Sequence, residues 1–255
     1  MKSMDNIQKR QNENYDNEMC KTCNGLENCS AFGYIKLEKE LDGKIYEVYE
    51  KCSKRIKLEA ELKYQKTIRS SGLPKEYLDK TFDNFDDSEN KPAIKTIKNF
   101  LGKEEWKEGK GLVIVGDTGV GKTHLASAIA HELAKKDVFV LFTYVPDLLD
   151  EIRYTYDEDS NNTADELLDL IYSAPVLILD DLGSEKPTEW AIEKITQILN
   201  YRWNNKLSTI ATTNLIKDEL KNRIGDRAYS RLIGRAEIIP LIGFDRRINK
   251  RGDKK

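Results

Sequence analysis

Short apolar segments alternate with amphipathic ones along most of the chain. Runs of aliphatic and β-branched residues predict buried strands over residues 111–115, 138–145, 176–179, 208–213 and 236–241. Apolar residues at helical spacing between these runs predict helices over 94–106, 122–136, 146–154, 163–173 and 188–205. This alternation predicts an α/β fold with a mainly parallel sheet that helices cover on both faces.

The first part of the chain follows a different pattern. Residues 1–19 are polar and rich in Asn, which predicts a frayed start, and a hairpin is predicted from Tyr34 to Tyr49 with its turn at Asp42-Gly43. A highly charged helix follows from Ser53 to Ser70. We therefore predict a cysteine-rich module (1–52), a linker helix (53–72) and a larger domain (73–255), onto which the aromatic residues of 75–87 pack.

Composition narrows the function classes. The 255 residues are 39% hydrophobic and 34% charged, and no apolar run approaches the ~18 residues that a membrane span needs. With no apolar signal core at the N-terminus, we expect a cytoplasmic protein without a membrane partner. Residues 217–255 hold 12 Lys and Arg against 6 Asp and Glu, which suits contact with nucleic acid or an acidic partner and equally suits a solvated tail.

All four cysteines lie in the first fifth of the chain, at Cys20, Cys23, Cys29 and Cys52. In a reducing compartment four thiolates predict a tetrahedral zinc site, which would supply much of the folding energy of so small a module. Only the first pair has the usual knuckle spacing. The alternative is a set of reduced, partly buried thiols.

A phosphate-binding pattern joins the strand at 111–115 to the helix that follows it. The sequence G-D-T-G-V-G-K-T fits G-x-x-x-x-G-K-[ST] without mismatch, over Gly116, Asp117, Thr118, Gly119, Val120, Gly121, Lys122 and Thr123. Glycines let the backbone N–H groups turn towards phosphates at a helix N-terminus. Lys122 is predicted to reach the β- and γ-phosphates of a nucleotide, and Thr123 to ligate Mg²⁺.

Polar residues at later strand ends supply the other parts of a hydrolytic site. Asp180 ends a buried strand and suits Mg²⁺, while Asp181 suits the attacking water, with Glu185 a less suited base. Asn214 follows the next strand and suits the γ-phosphate or the water, although Asn there is also a common turn residue. Arg227 and Arg231 lie four residues apart on one helical face, where guanidinium groups suit phosphate; solvated arginines show the same spacing.

These motifs in this order, G-D-T-G-V-G-K-T-H-L, L-I-L-D-D-L-G, A-T-T-N and G-D-R-A-Y-S-R-L-I-G, resemble the AAA+ ATPases of the DnaC/DnaI type, the loaders of replicative helicase. The resemblance covers roughly residues 73–250. It implies that 116–123 and His124 belong to Walker A, that Asp180 and Asp181 form Walker B, and that Asn214 is sensor 1, Arg231 the arginine finger and Arg247 sensor 2. Without the resemblance, the sequence predicts that His124 and His131 are surface or packing residues.

The resemblance also implies a function: an ATP- and Mg²⁺-dependent oligomer that binds single-stranded DNA and holds the ring helicase through its zinc-binding N-terminal module. The sequence departs from the family pattern in two places. It has Asp181 where the general AAA+ pattern prefers Glu, and its predicted zinc ligands are all cysteines where a histidine is expected. Two alternatives stay open. One is a transposition helper ATPase of the IstB type, which binds duplex DNA and a transposase; the other is a non-catalytic adaptor.

Overall fold

The computed structural model describes residues 34–86, 88–154 and 163–246. The chain divides into two compact units, the first ending at Lys63 and the second beginning at Tyr64. Four predicted site residues, Cys20, Cys23, Cys29 and Arg247, lie outside the described residues, as does the start predicted to be frayed at 1–19. The domain boundaries predicted from the sequence stay a prediction.

The first unit contains an antiparallel hairpin. Strands β1 (Tyr34–Leu41) and β2 (Lys44–Lys51) pair over their whole lengths. Asp42 and Gly43 both take positive φ angles, 54° and 70°, which gives the two-residue turn that suits the twist of a hairpin. The predicted hairpin is confirmed. Helix α1 (Ser53–Ser70) begins in this unit and ends in the second.

The second unit is built on a five-stranded sheet in the order β4-β5-β6-β3-β7, with every pairing parallel. The strands are β3 (Gly111–Val115), β4 (Val140–Tyr144), β5 (Val176–Asp180), β6 (Ser208–Thr213) and β7 (Ala236–Pro240). The predicted parallel α/β fold is confirmed. Because every strand runs the same way, all the carboxyl ends meet at one edge of the sheet, where open α/β sheets bind their ligands.

Helices cover both faces of this sheet. They are α2 (Lys91–Gly102), α3 (Lys122–Lys135), α4 (Val145–Tyr154), α5 (Thr163–Ser173), α6 (Glu189–Asn204), α7 (Lys217–Ile224) and α8 (Asp226–Ile233), with 3₁₀ turns at Lys75–Tyr77 and Glu105–Glu108. None of the helices described is long and apolar enough to cross a membrane. The helix predicted over 94–106 is displaced: α2 begins at Lys91 behind Asn90 and ends before Glu104, whose φ is 53°.

Successive side chains of a strand point to opposite faces of the sheet, so the protein has two apolar cores, one on each face. In β3, Leu112 and Ile114 belong to one cluster with α2 and α3, while Val113 belongs to the other with α4 and α6. Phe85 is buried in the first cluster and Tyr77 and Phe82 pack against it, as predicted for the aromatic segment. Leu78 of the same segment is 43% exposed.

A buried cation holds the end of α5 to the start of β6. Arg202 is fully buried and donates to the carbonyls of Ile171, Ala174 and Ser208 and to Thr209 Oγ1. Burial lowers the pKa of this guanidinium to about 9, so it remains charged at neutral pH and depends on those acceptors. The sequence pattern gave no signal for it beyond one Arg on an apolar helix face.

Candidate active site

The phosphate loop lies between β3 and α3, at the edge of the sheet where the strands end. Gly119 and Gly121 take φ angles of 82° and 104°, a region that side chains with a β-carbon rarely occupy. Lys122 Nζ donates to the carbonyls of Gly116 and Asp117, at 2.8 Å each. The ammonium group therefore lies inside the loop, where phosphate oxygens can replace the two carbonyls as acceptors.

A hydroxyl and a carboxylate meet beside this loop. Thr123, in the first turn of α3, donates through Oγ1 to Asp180 Oδ2 at 3.1 Å. Burial raises the pKa of the Asp180 carboxyl, while hydrogen bonds from Thr212 and Thr123 oppose that rise. Both oxygens are hard ligands of the kind that Mg²⁺ prefers. The structure thus brings the two predicted magnesium ligands together.

Thr212, near the end of β6, is a member of the site that sequence reasoning missed. Its Oγ1 donates to Asp180 Oδ1 at 2.7 Å and accepts the backbone N–H of Asp181 at 2.8 Å. The A-T-T-N motif contains this residue, but only Asn214 was given a role. A buried threonine next to a strand-end carboxylate is the signal that could have found it, once the two strands were known to be neighbours.

The two acidic residues after β5 differ in their surroundings. Asp181 is partly exposed, with a φ of 59°, and extends from the strand end. Glu185 is 7% exposed and its Oε2 accepts the backbone N–H of Gly183 at 2.8 Å, while burial raises the pKa of its carboxyl. Glu185 is therefore bonded to the backbone of the turn after β5, and Asp181 is the more exposed of the two carboxylates.

Asn214 and Arg231 occupy opposite ends of the sheet. Asn214 is exposed directly after β6, and the preceding Thr213 carbonyl accepts the Gly116 N–H at 3.3 Å, so the end of β6 lies beside the start of the phosphate loop. Arg231 donates through Nε to Asn200 Oδ1 at 3.2 Å and lines a small cavity with Gly111, where β3 begins. Because the phosphate loop follows the other end of β3, the structure does not bring Arg231 into the site of its own chain.

An aromatic wall borders the phosphate loop. A β-carbon at Gly121 would lie 2.7 Å from Phe85 Cε2, and His124 meets the Phe85 ring edge-on at a centroid distance of 5.1 Å. His124 Nε2 donates to the Thr81 carbonyl at 2.9 Å, and burial lowers the pKa of this imidazole. His124 thus anchors the wall, and nothing in the pattern predicted Phe85 as part of the site.

The segment after β7 crosses the same loop. The backbone N–H of Arg246 donates to the Gly119 carbonyl at 3.1 Å, and its guanidinium lies 4.8 Å from the Phe85 ring centroid. Asn90 fixes the segment through both polar atoms of its side chain, to the backbone N–H and carbonyl of Ile242. Among the described residues of this segment, Arg246 is therefore the arginine that borders the phosphate loop.

Cys52 is the one predicted zinc ligand among the described residues. Its thiol is buried, and its Sγ accepts the backbone N–H of Arg55 at 3.3 Å in the first turn of α1. Within the described part of the chain, no group of three or more metal-ligating side chains occurs.

Comparison with known proteins gives the following similarities. A family model described as IstB-like ATP binding protein matches residues 36–251. The replicative helicase loader DnaI of Bacillus subtilis (strain 168) is 31% identical over 227 residues, which cover 85% of this chain and 72% of that protein. A crystal structure of the DnaC helicase loader is 33% identical with a TM-score of 0.61, covering 66% of this chain and 100% of that chain. A crystal structure of DnaI is 33% identical with a TM-score of 0.59, covering 68% and 93%.

Proposed function

The chain belongs to the family of IstB-like ATP binding proteins, and on that premise we propose that it loads a replicative helicase onto single-stranded DNA, with ATP as the switch. Like the DnaC and DnaI loaders that it resembles, it is an ATPase of the P-loop AAA+ class. One observation carries the proposal: the similarity to the DnaI loader is longer than the second unit, so it extends into the first unit as well.

ATP would bind at the phosphate loop with Mg²⁺ beside it. Lys122 would exchange its two carbonyl acceptors for β- and γ-phosphate oxygens. Thr123 and Asp180 would hold Mg²⁺, since their oxygens already lie together and partly buried. Mg²⁺ bound there neutralises charge that develops on the phosphates.

Hydrolysis would use the polar residues at the strand ends. Asp181 would accept a proton from a water that Asn214 orients. The water oxygen forms a bond to the γ-phosphorus while the bond from that phosphorus to the β–γ bridging oxygen breaks, which releases ADP and phosphate. Because Arg231 lies at the other end of β3, it would act in the site of a neighbouring copy, so an ATP-dependent oligomer follows from the proposal.

The first unit would hold the helicase. Leu37, Leu41, Tyr46 and Val48 share one face of the hairpin by register, and the first three are 36%, 59% and 48% exposed. A two-stranded hairpin with apolar side chains exposed on one face, beside the Lys39–Glu50 ion pair, suits a partner surface. Zinc at Cys20, Cys23, Cys29 and Cys52 would stabilise this unit. Elemental analysis of protein purified without added metal should give one zinc per chain; metal-free protein with four titratable thiols would end the zinc proposal.

Single-stranded DNA would be bound by the second unit, which carries the basic excess of residues 217–255. The same ATPase could serve a transposase instead, the alternative that the resemblance to transposition helpers of the IstB type leaves open. The two proposed functions differ in the partner protein and in whether the DNA is single-stranded or duplex. An experiment can therefore distinguish them.

A loading assay with the full chain tests the proposal. Single-stranded DNA is coated with a single-stranded-DNA-binding protein and incubated with the replicative helicase of the same organism, the chain and ATP. The amount of helicase retained on the DNA is then measured. We expect retention to require both the chain and ATP, to be lost in Lys122→Ala, and to persist in Lys135→Ala, an exposed control on the same helix. Retention of duplex DNA with a transposase, and none of helicase, would favour the alternative.

A further inference from the structure

We infer that Thr212 is a positioning residue for hydrolysis, because its hydroxyl and carbonyl fix the metal-binding and base carboxylates of the site relative to each other. Neither the family motifs nor the sequence pattern assigns it this role. The inference deepens the proposed function and rests on the ATPase activity of the chain.

Thr212 contacts three consecutive residues, the last of β5 and the two that follow it. Its hydroxyl bonds Asp180 and Asp181 as described above, and its backbone carbonyl accepts the Leu182 N–H at 2.8 Å. The backbone pairing of β5 with β6 ends at Leu179 opposite Ala211, one residue earlier on each strand. The Thr212 side chain therefore continues the connection between these strands where the ladder stops.

The direction of each hydrogen bond is determined. A backbone N–H can only donate, so the Thr212 oxygen accepts from Asp181 and its single proton is directed at Asp180 Oδ1. That donated bond fixes the orientation of a carboxylate that is 7% exposed, so that its other oxygen, Oδ2, faces the Thr123 hydroxyl.

The same hydroxyl restrains Asp181. The Asp181 backbone is left-handed, with a φ of 59°, a conformation that most side chains disfavour. Bonds to the N–H groups of Asp181 and Leu182 hold the backbone in that conformation. Loss of the hydroxyl would leave a buried N–H unsatisfied and allow the Asp181 carboxylate to move away from the attacking water.

Thr212→Val keeps the shape of the side chain and removes the hydroxyl, whereas Thr212→Ser keeps the hydroxyl and removes the methyl group. Ser208→Ala is the matched structural control: it removes a buried hydroxyl that donates to Lys110 O at 2.6 Å, from the opposite end of the same strand. Steady-state ATPase activity is measured against ATP, Mg²⁺ and pH, and the melting temperature is measured for each variant.

We expect Thr212→Val to lower kcat by about 10–100-fold, the usual loss for a partner of a metal ligand, and to raise the Mg²⁺ needed for half-maximal rate. Thr212→Ser should stay within about 3-fold of wild type, since the charge-assisted hydrogen bond is kept.

The inference is overturned if Thr212→Val keeps the wild-type kcat and Mg²⁺ dependence while its melting temperature falls like that of Ser208→Ala. It is also overturned if Thr212→Ser loses as much kcat as Thr212→Val, or, where valine does not fold, if Thr212→Ser loses kcat by about 10-fold or more. A wild-type chain without ATPase activity would instead contradict the proposed function itself.

Discussion

Replacing Asp180 by Asn should separate folding from magnesium binding. The carboxyl is buried, and that burial raises its pKa above the ordinary value of 3.8. Ionisation of Asp180 is therefore harder in the nucleotide-free protein than in water, and in the proposed site a bound cation would offset that cost. The amide keeps an oxygen for the Thr212 hydroxyl and offers an N–H to Thr123, so both contacts survive. We expect nucleotide-free Asp180→Asn to be at least as stable as wild type at neutral pH.

The pH dependence follows from the direction of the shift. Between 3.8 and the raised folded pKa, the folded state holds a proton that the unfolded state releases, so wild type loses stability as pH rises through this window. Asp180→Asn lacks that loss. The stability difference between variant and wild type should grow across the window and become constant above it.

Ligand binding raises the stability of the wild-type protein, whereas ionisation of Asp180 lowers it. At about 100 times its Kd, a ligand that binds only the folded state stabilises it by about 2.7 kcal/mol. For a chain near this size, each kcal/mol shifts the melting temperature by about 2–4 °C, so Mg²⁺ with a non-hydrolysable ATP analogue should raise that of wild type by roughly 5–11 °C. Asp180→Asn should show only the shift that the analogue gives with a metal chelator.

Differential scanning fluorimetry from acid to neutral pH, with and without the Mg²⁺-bound analogue, measures both effects. Asp169→Asn removes one exposed carboxylate on α5 and controls for net charge. The reasoning fails if nucleotide-free Asp180→Asn melts several degrees below wild type at neutral pH yet retains the full magnesium-dependent shift.

Three further predictions concern the loop, the core and the neighbouring copy. Gly121→Ala should lose nucleotide binding, because φ is 104° and its β-carbon would meet Phe85, whereas Gly102→Ala, with open space around it, should bind normally. Arg202→Met should lower the free energy of unfolding by about 3 kcal/mol, because three buried carbonyls lose their donor; an unchanged melting temperature would contradict this. Arg231→Ala and Asp181→Asn subunits should each be inactive alone and hydrolyse ATP when mixed. No recovery in demonstrated mixed oligomers would mean that Arg231 does not act in trans.

Local patterns predicted much of the second unit. The strands at 111–115 and 208–213 and the helix at 163–173 have the bounds that periodicity predicts, because burial on one or both faces imposes its period directly on the sequence. The hairpin and its turn were predictable because Asp-Gly supplies the positive φ that the turn needs. The family resemblance rested on the same local motifs and is confirmed.

The bounds of α2 could not be predicted from the local spacing of apolar residues. Apolar spacing located the buried face of this helix, but its start is set by Asn90 and Pro92 and its end by the left-handed Glu104. Asn90 also bonds Ile242, far along the chain, through both polar atoms of its side chain. A boundary that depends on a distant backbone segment leaves no periodic signal near it.

The sequence alone determined the parts of the site: the phosphate loop, the strand-end carboxylates and the parallel sheet that would carry them. Only the tertiary structure decided which of these parts touch. Thr123 and Asp180 are 57 residues apart, and they meet because β6 lies between β5 and β3 and aligns the strand ends at one edge. The same strand order gives Thr212 its contact with Asp180 and leaves Arg231 at the far end of β3. Strand order depends on how the helices pack on both faces of the sheet, a long-range balance that no single stretch of residues records.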